Sequence, residues 1–449
     1  MLTFQRLRLA IVACLALASV ITLGAQTSGG MFSVALTGDS LITRPLSPYK
    51  EPPYVQLIDL LRAQDAAFTN LEMNLHNYEV YPMVESGGLH LSADPAIAKE
   101  LVWAGFRLAS FANNHTVDWG VEGMRLTEKY AQQAGLVLAG AGESLPEARA
   151  PRFLDTPRGR IALVATASTF TTAAPAGASR GDVLPRPGLS PLHFSTTAVV
   201  TDAGLTAVRT LARELGVALP PGDRVTLFDT TFVRGEKPGV HTAPNAADLE
   251  QIASAASNGR RLSDLTIVSI HAHEGTESAF VPAEFLVTFA HAMIDAGADV
   301  FVGHGPHVLR AIEIYKGKPI FYSLGDFVFE NATVDRLPMD DYDALAVGAS
   351  KGIADFNEIR YDNDRKGFPA EREIWESVVA VPRWRNRVLQ QVELYPITLG
   401  FGQPAAFRGR PMLADDSLGR KIIGDLQRLS EPFHTRIDYR DRVGIITVP

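Results

Sequence analysis

Residues 297–329 read GADVFVGHGPHVLRAIEIYKGKPIFYSLGDFVF, an apolar run that stops abruptly at two histidines. Asp299-Val300-Phe301-Val302 is rich in β-branched and aromatic residues and is ended by Gly303, the pattern of a buried strand feeding a turn. His304 and His307 follow at once. In open α/β sheets ligands sit beyond the strand C-termini, and neutral imidazole is a common metal ligand. Gly305-Pro306 reads as a fixed turn that can aim both rings at one point. Residues 311–315 and 319–323 then read as a hairpin about Lys316-Gly317-Lys318, extending the sheet behind the histidines.

Working outward, the same grammar recurs. The strand predicted over residues 32–37 runs into Gly38-Asp39, and that over 66–71 closes with Asn70-Leu71-Glu72. Residues 106–112 deliver Asn113-Asn114-His115, followed by Asp118, Gly120 and a helix over 121–134. Residues 265–270 end in His271-Ala272-His273-Glu274. Further strands are expected at 136–139 and 161–167, and helices at 58–62, 94–104 and 282–296. Alternation of short strands with amphipathic helices is the pattern of an α/β sandwich. A sheet brings its strand C-termini to one edge, so five such ends form one constellation. Asp, Glu, Asn and His are ligands suited to Zn, Mn or Fe. A carboxylate such as Glu72 can bridge two cations, and a two-metal site supplies hydroxide near neutral pH. If Glu72, Asn114, His271 and His304 surround one cation, their ligand atoms fall within about 3–5 Å of one another.

Residues 169–264 interrupt this pattern as an insertion. Residues 169–192 are rich in Ala, Gly, Pro, Ser and Arg, and a long irregular loop of this kind is more often a functional lid than an idle insertion. Arg180 and Arg186 in it suit recognition of carboxylate or phosphate, so the loop is expected to lie over the site. A helix at 203–215, a strand at 224–232 and a helix at 246–257 follow. Beyond Phe329, residues 331–373 carry few regular signals. Strands at 388–396 and 443–448 and a helix at 418–429 read as a C-terminal extension, residues 330–449, packed on the domain.

Composition narrows the class. Forty-two basic against 50 acidic residues, a formal charge of −8, argue against a nucleic-acid footprint. Arg6 and Arg8 precede an apolar run at 9–23 with small residues beyond it, the signature of a secretory signal peptide over residues 1–25. The run of about 15 residues is short of the roughly 20 a membrane span needs, with an uncleaved anchor as the alternative. A secreted or periplasmic chain is therefore expected. Cys14 is the only cysteine, and the apolar run continuing past it is the wrong order for a lipidated N-terminus. The mature chain then has neither disulfide nor thiolate chemistry, and any metal falls to His, Asn and carboxylates.

Gly38-Asp39 with Arg44, Asn70-Leu71-Glu72, Asn113-Asn114-His115 with Asp118 and Gly120, His271, and Gly303-His304-Gly305-Pro306-His307, in this order, resemble the CapA family. That family is associated with poly-γ-glutamate capsules and has a fold similar to the calcineurin-like metallophosphoesterases. Ser323-Leu324-Gly325-Asp326-Phe327 resembles its Ser-Leu-Gly-Asn-Phe block, with Asp for the usual Asn. The resemblance covers residues 32–329 and implies a metallophosphoesterase-like α/β sandwich. It also implies one or two divalent ions, with Asp39, Glu72 and His307 at one and Glu72, Asn114, His271 and His304 at the other. This chain departs from the phosphoesterase pattern twice: Asp39-Ser40-Leu41 stands for Asp-x-His, and Gly-His-x-Pro-His stands for Gly-His-x-His.

By the same resemblance His115 is the general acid that protonates a leaving group, with Asp118 orienting it. A capped turn opening the following helix is the plainer reading of both residues. Arg44 is available either to an anionic substrate group or to a surface carboxylate. His273 and Glu274 are expected to shape their loop rather than ligate, and His76, His90, His193, His241, His291 and His434 have no supporting context. The function implied is metal-dependent hydrolysis in capsule or cell-envelope polymer metabolism, on an anionic polymer or a phosphoester. Two alternatives stand beside it: a polymer-binding, non-catalytic component of a membrane-bound capsule synthesis complex, and a metal-independent acid–base enzyme.

Overall fold

The computed structural model describes residues 31–228 and 230–448. The expected signal peptide and Cys14 lie outside the described residues. The strand Phe32–Leu41 shows why the apolar runs are continuous rather than alternating. Val34 and Leu36 face one apolar layer and Ala35 another, and all three are fully buried. This strand pairs in parallel with Ala66–Leu71, which pairs with Phe106–Ser110 and that in turn with Val137–Ala139.

A second sheet runs in the order Ile312–Tyr315, Lys318–Phe321, Val300–His304, Leu265–His271, Gly159–Ala167, Arg152–Thr156. Its four middle strands are parallel. Leu163, Ile267, Val300 and Val302 meet Val34, Leu36, Phe68 and Leu108 between the sheets. Helices Pro52–Arg62 and Ile97–Ala104 cover the outer face of the first sheet, and Ala246–Leu262 and Glu284–Asp295 that of the second. The result is a helix, sheet, sheet, helix sandwich, the layered α/β architecture expected from the alternation and from the family resemblance.

Several boundaries differ from the sequence reading for identifiable reasons. The Phe32–Leu41 strand continues through Gly38-Asp39 because Gly38 permits close approach: a Cβ there would lie 1.7 Å from the Gly325 carbonyl oxygen. Asp39 is thereby placed in register with Asn70 on one side and Asp326 on the other. The strand expected over 224–232 is two, Arg224–Leu227 and Thr230–Arg234, folded back antiparallel. Its turn contains Phe228 at φ +48°, with no glycine or proline to betray it. These two join Phe194–Val200 and Gly239–Pro244 in a separate four-stranded sheet, whereas the helix Ala246–Leu262 packs on the sandwich.

The C-terminal segment is not an added layer. Glu376–Arg385 pairs antiparallel with Phe32–Leu41, and Val388–Thr398 and Val443–Thr447 extend the same sheet. The strand Glu376–Arg385 is hard to read from the sequence because its apolar run begins directly after a polar stretch and contains Pro382. Residues 331–373, expected to be irregular, contain the helices Met339–Ala344 and Ile353–Tyr361. Among the described residues no helix is long and apolar enough to cross a membrane.

Candidate metal centre

The two sheets bring their strand ends together at one edge. Strand register places His271 beside His304 in one sheet and Asn70 beside Asp39 in the other. Across the gap Asp39 Oδ1 lies 3.2 Å from His304 Nδ1 and 3.6 Å from His271 Nδ1. His271 and His304 present their Nδ1 atoms to each other at 3.1 Å, and His304 Nε2 lies 2.8 Å from Ser269 Oγ. Asp39 is fixed from two directions: Asn70 Nδ2 donates to Oδ1 at 2.8 Å, and the Gly305 N–H donates to Oδ2 at 2.8 Å. Gly305, at φ +118°, can come this close because a Cβ there would meet the Ala272 nitrogen at 2.9 Å.

Glu72 Oε1 lies 3.7 Å from His271 Nε2 and 3.8 Å from His115 Nε2. Both its carboxylate oxygens are buried and have no hydrogen-bond partner, as are Asn114 Oδ1 and Asp326 Oδ2. Buried polar atoms are ordinarily paired. Orphaned oxygens beside imidazoles are what a cation would satisfy, so the donor set fits a metal. Three groups bring ligand atoms within 4.8 Å of one another: Asp39, His271 and His304; Glu72, His271 and His273; and Asp39, Glu72 and His307. The last is the set the resemblance gave to one ion. For the other ion, His304 is placed with Asp39 rather than demonstrably with Glu72, and His273 joins Glu72 and His271. His273 Nε2 lies 2.9 Å from His271 Nε2, so this ring does more than shape its loop.

The extra proline in Gly-His-x-Pro-His is absorbed by the backbone. His307 takes φ +59°, a conformation costing of order 1 kcal/mol or more. Its Nδ1 thereby reaches Asp326 Oδ1 at 2.9 Å and Asp39 Oδ2 at 3.8 Å. Asp326, where the family has asparagine, is thus a partner of His307. Its position in the motif was visible in the sequence, but its contact was not.

Burial dominates the proton affinities. It pushes Glu72 well above the ordinary carboxylate range, reinforced by Asp39 and Asp326. For Asp39 burial acts upward too, but hydrogen bonding to His271 and His304 and their fields outweigh it, and its carboxyl is held well below the usual value. The two carboxyls are therefore biased oppositely, Asp39 toward its ionised form and Glu72 toward its protonated one. Burial lowers His271 to about 4, keeping it a neutral ligand-type ring. It raises Asp326 to about 7 against the pull of His307; His307 is itself lowered by burial, but Asp326 overcomes this and holds it above its usual value.

His115 Nδ1 lies 2.7 Å from Asp118 Oδ2, and Asp118 also accepts from the Gly87 and Leu91 N–H groups at 2.9 and 3.0 Å. His115 belongs to none of the three ligand groups. Asn113 braces the turn, donating to Asn70 Oδ1 at 3.2 Å and accepting from the His115 N–H at 3.1 Å. A cleft of about 210 Å³ opens over the site, lined by residues including Asn114, His115, His273, His307, Arg360 and Phe368.

Neither expected substrate arginine is at that cleft. Arg44 pairs with Glu330, whose side chain is 1 % exposed, at 2.8 Å, and gives its other donors to the Ala406 and Arg408 carbonyls. Its carboxylate partner is buried rather than superficial. Arg186 is exposed and donates to the Pro175 carbonyl at 2.9 Å, and Arg180 pairs with Asp182. No residue of 169–192 lines the cleft. Beside the site, Ser168 and the first loop residue, Thr169, donate to Glu274 at 2.7 and 2.9 Å. The lid reading is corrected accordingly: the rim is Gly87-Gly88-Leu89 on one side and Arg360 with Phe368 on the other. Arg44→Ala is expected to cost about 2 kcal/mol in urea unfolding, less than a fully buried pair because Glu330 keeps the Thr43 and Arg44 N–H donors. Unchanged stability with weakened anion binding would return Arg44 to the substrate.

The family model described as "Bacterial capsule synthesis protein PGA_cap" matches residues 33–331. The chain belongs to this family. A relative in Sinorhizobium fredii, named only "Uncharacterized protein y4sH", is 38 % identical over 432 residues, covering 92 % of this chain and 93 % of that one. Two relatives with functional names are more distant. "Capsule biosynthesis protein CapA" of Bacillus anthracis is 28 % identical, over 65 % of this chain and 54 % of its own length. "PGA biosynthesis protein CapA" of Bacillus subtilis is 27 % identical, over 68 % and 64 %. Of solved structures, the NAD nucleotidase of Haemophilus influenzae aligns at 9 % identity and TM-score 0.30, over 89 % of this chain and 56 % of that one. So slight a likeness carries no argument. The assignment of PGA_cap architecture here rests on the chain's own sheets and motifs.

Proposed function

We propose that the chain is a secreted or periplasmic metal-dependent hydrolase acting on an anionic polymer of the capsule or cell envelope, poly-γ-glutamate being the candidate that the CapA resemblance implies and capsule the one that a relative's name prints. The observation that carries the reading is Glu72: a buried carboxylate with both oxygens unpartnered, ringed by imidazoles and facing His115. Asp39, Glu72, His271, His304 and His307, with His273 and Asn114, would hold one or two ions of the Zn, Mn or Fe type. Such an ion, when bound, polarises a carbonyl or phosphoryl oxygen and lowers the pKa of its water. The chain's own part is proton delivery and positioning. Asp118 holds the His115 ring by Nδ1, which leaves Nε2 toward Glu72 and the cleft, placed to give a proton to a departing oxygen or nitrogen. The Asn70 and Asn113 amides keep Asp39 and the His115 turn in register.

Metal analysis of the purified mature chain, with hydrolysis assays on phosphoester and γ-glutamyl substrates, tests this. Bound divalent ion and cleavage of one class are expected. Absence of both would sink the hydrolase reading. Leu41, standing where the phosphoesterase pattern has histidine, favours a second reading, that of a polymer-binding component of a capsule synthesis complex. Polymer binding without any cleavage would select it.

A further inference from the structure

The cleft over the candidate metal centre is walled on one side by a segment that the family model does not reach. The match to that model ends at residue 331, whereas Arg360 closes the helix Ile353–Tyr361 further along the chain. Its guanidinium lies over two rings, 4.9 Å from the Tyr361 centroid and 5.8 Å from that of Phe368. Both rings are themselves held. Asn331 donates to the Tyr361 hydroxyl at 3.0 Å, and Phe368 packs edge-on against His307 at 5.5 Å, with its carbonyl accepting from Trp375 Nε1 at 2.8 Å. Arg360 is therefore tied through one aromatic ring to a residue of the candidate metal centre.

Arg360 Nη1 is shut away from solvent and has no hydrogen-bond partner, and among the described residues Arg360 makes no ion pair. A guanidinium is always charged and presents a planar fork suited to carboxylate or phosphate. Leaving the Nη1 donor buried and unused is unfavourable, which is the condition an incoming anion relieves. The rest of the lining agrees. Asn114, His115, His273, His307 and Asn331 face the same space, and no carboxylate lines it among the described residues. Its volume of about 210 Å³ is below the roughly 300–1,000 Å³ of a pocket for a whole drug-sized molecule. It suits one charged group of a larger substrate.

We propose that Arg360 is the substrate-binding residue of this site, holding a carboxylate or phosphate group in the cleft beside His115. The assignment rests on reading the cleft as the substrate site, and it replaces Arg44, whose donors are spent on Glu330 and two carbonyls, and Arg186, which does not line the cleft. It also gives residues 331–373 a purpose: they set which anion is held in the cleft.

The test is binding, separate from turnover. Inorganic phosphate and a γ-linked glutamyl trimer are titrated calorimetrically into the full mature chain, as wild type, Arg360→Gln and Arg360→Lys, with metal content and melting temperature measured on each. Arg360→Gln is expected to weaken at least one probe by about tenfold or more, the loss of a charge-assisted pair, with metal content and melting temperature unchanged. Arg360→Lys recovers part of the loss, keeping the charge without the fork. A response confined to phosphate assigns a phosphoester substrate; one confined to the trimer assigns polymer carboxylates. Wild type that binds neither probe, binding within twofold in Arg360→Gln, or a loss that tracks a lowered melting temperature and is not rescued by lysine overturns the proposal. A chain that cleaves nothing yet binds through Arg360 loses only the hydrolase reading. Cleavage whose KM is untouched by Arg360→Gln loses only this one.

Discussion

Replacing His115 by Asn is expected to leave bound metal nearly unchanged while lowering turnover by about 10²–10⁴-fold, the usual range for a general acid. The separation follows from the geometry. His115 spends Nδ1 on Asp118 at 2.7 Å and lies outside the three groups whose ligand atoms converge. His304, by contrast, sits 3.2 Å from Asp39 and 3.1 Å from His271, so His304→Ala is expected to lower metal content and activity together. Metal analysis beside kcat distinguishes the two. Equal metal loss in both variants would move His115 into the coordination shell, and undiminished polymer handling in both would favour the non-catalytic reading.

Glu72→Gln is expected to act with opposite signs on binding and on stability. Removing a central carboxylate should abolish stoichiometric metal binding. In the metal-free chain the same change should steady the fold. Burial, Asp39 and Asp326 raise the Glu72 carboxyl above its ordinary 4.5, so its contribution to stability is full in acid and is lost as pH rises. The variant's advantage over wild type is thus small near pH 4.5 and grows as the pH rises above it. A relief of 1 kcal/mol corresponds to about 1 °C in a chain of 449 residues. The corollary is that metal binding to the wild type releases the Glu72 proton and tightens with rising pH, which calorimetry in buffers of different ionisation enthalpy reads directly. A melting temperature that falls at pH 8 in the metal-free variant, or ion binding without proton release, would refute this account of the site's electrostatics.

The sequence by itself determined the layers and the identity of the chemical groups. Apolar runs ending in Asp39, Glu72, Asn114, His271 and His304 require buried strands with polar C-termini, because a β-branched run has nowhere else to go, and strands in parallel sheets present those ends on one edge. Local periodicity says nothing of which groups face one another across two sheets. The meeting of Asp39 with His304, and of Asn70 with His271 at 3.4 Å, depends on how the sheets stack.

The same limit explains the arginines. A guanidinium's partner is set by what the fold brings within reach, so Arg44 in a promising motif is consumed by Glu330, 286 residues away. Arg360, in a stretch with no signal, stands over the cleft because a helix end and Phe368 carry it there. His307 makes the point within five residues. The inserted proline was legible, but the left-handed turn that returns the ring to Asp326 and Asp39 exists only because the strand Asp326–Phe329 lies alongside Phe32–Leu41. Residue type is a local property and survives in the sequence; the pairing of charges is a property of the packed interior, where burial makes each partner matter.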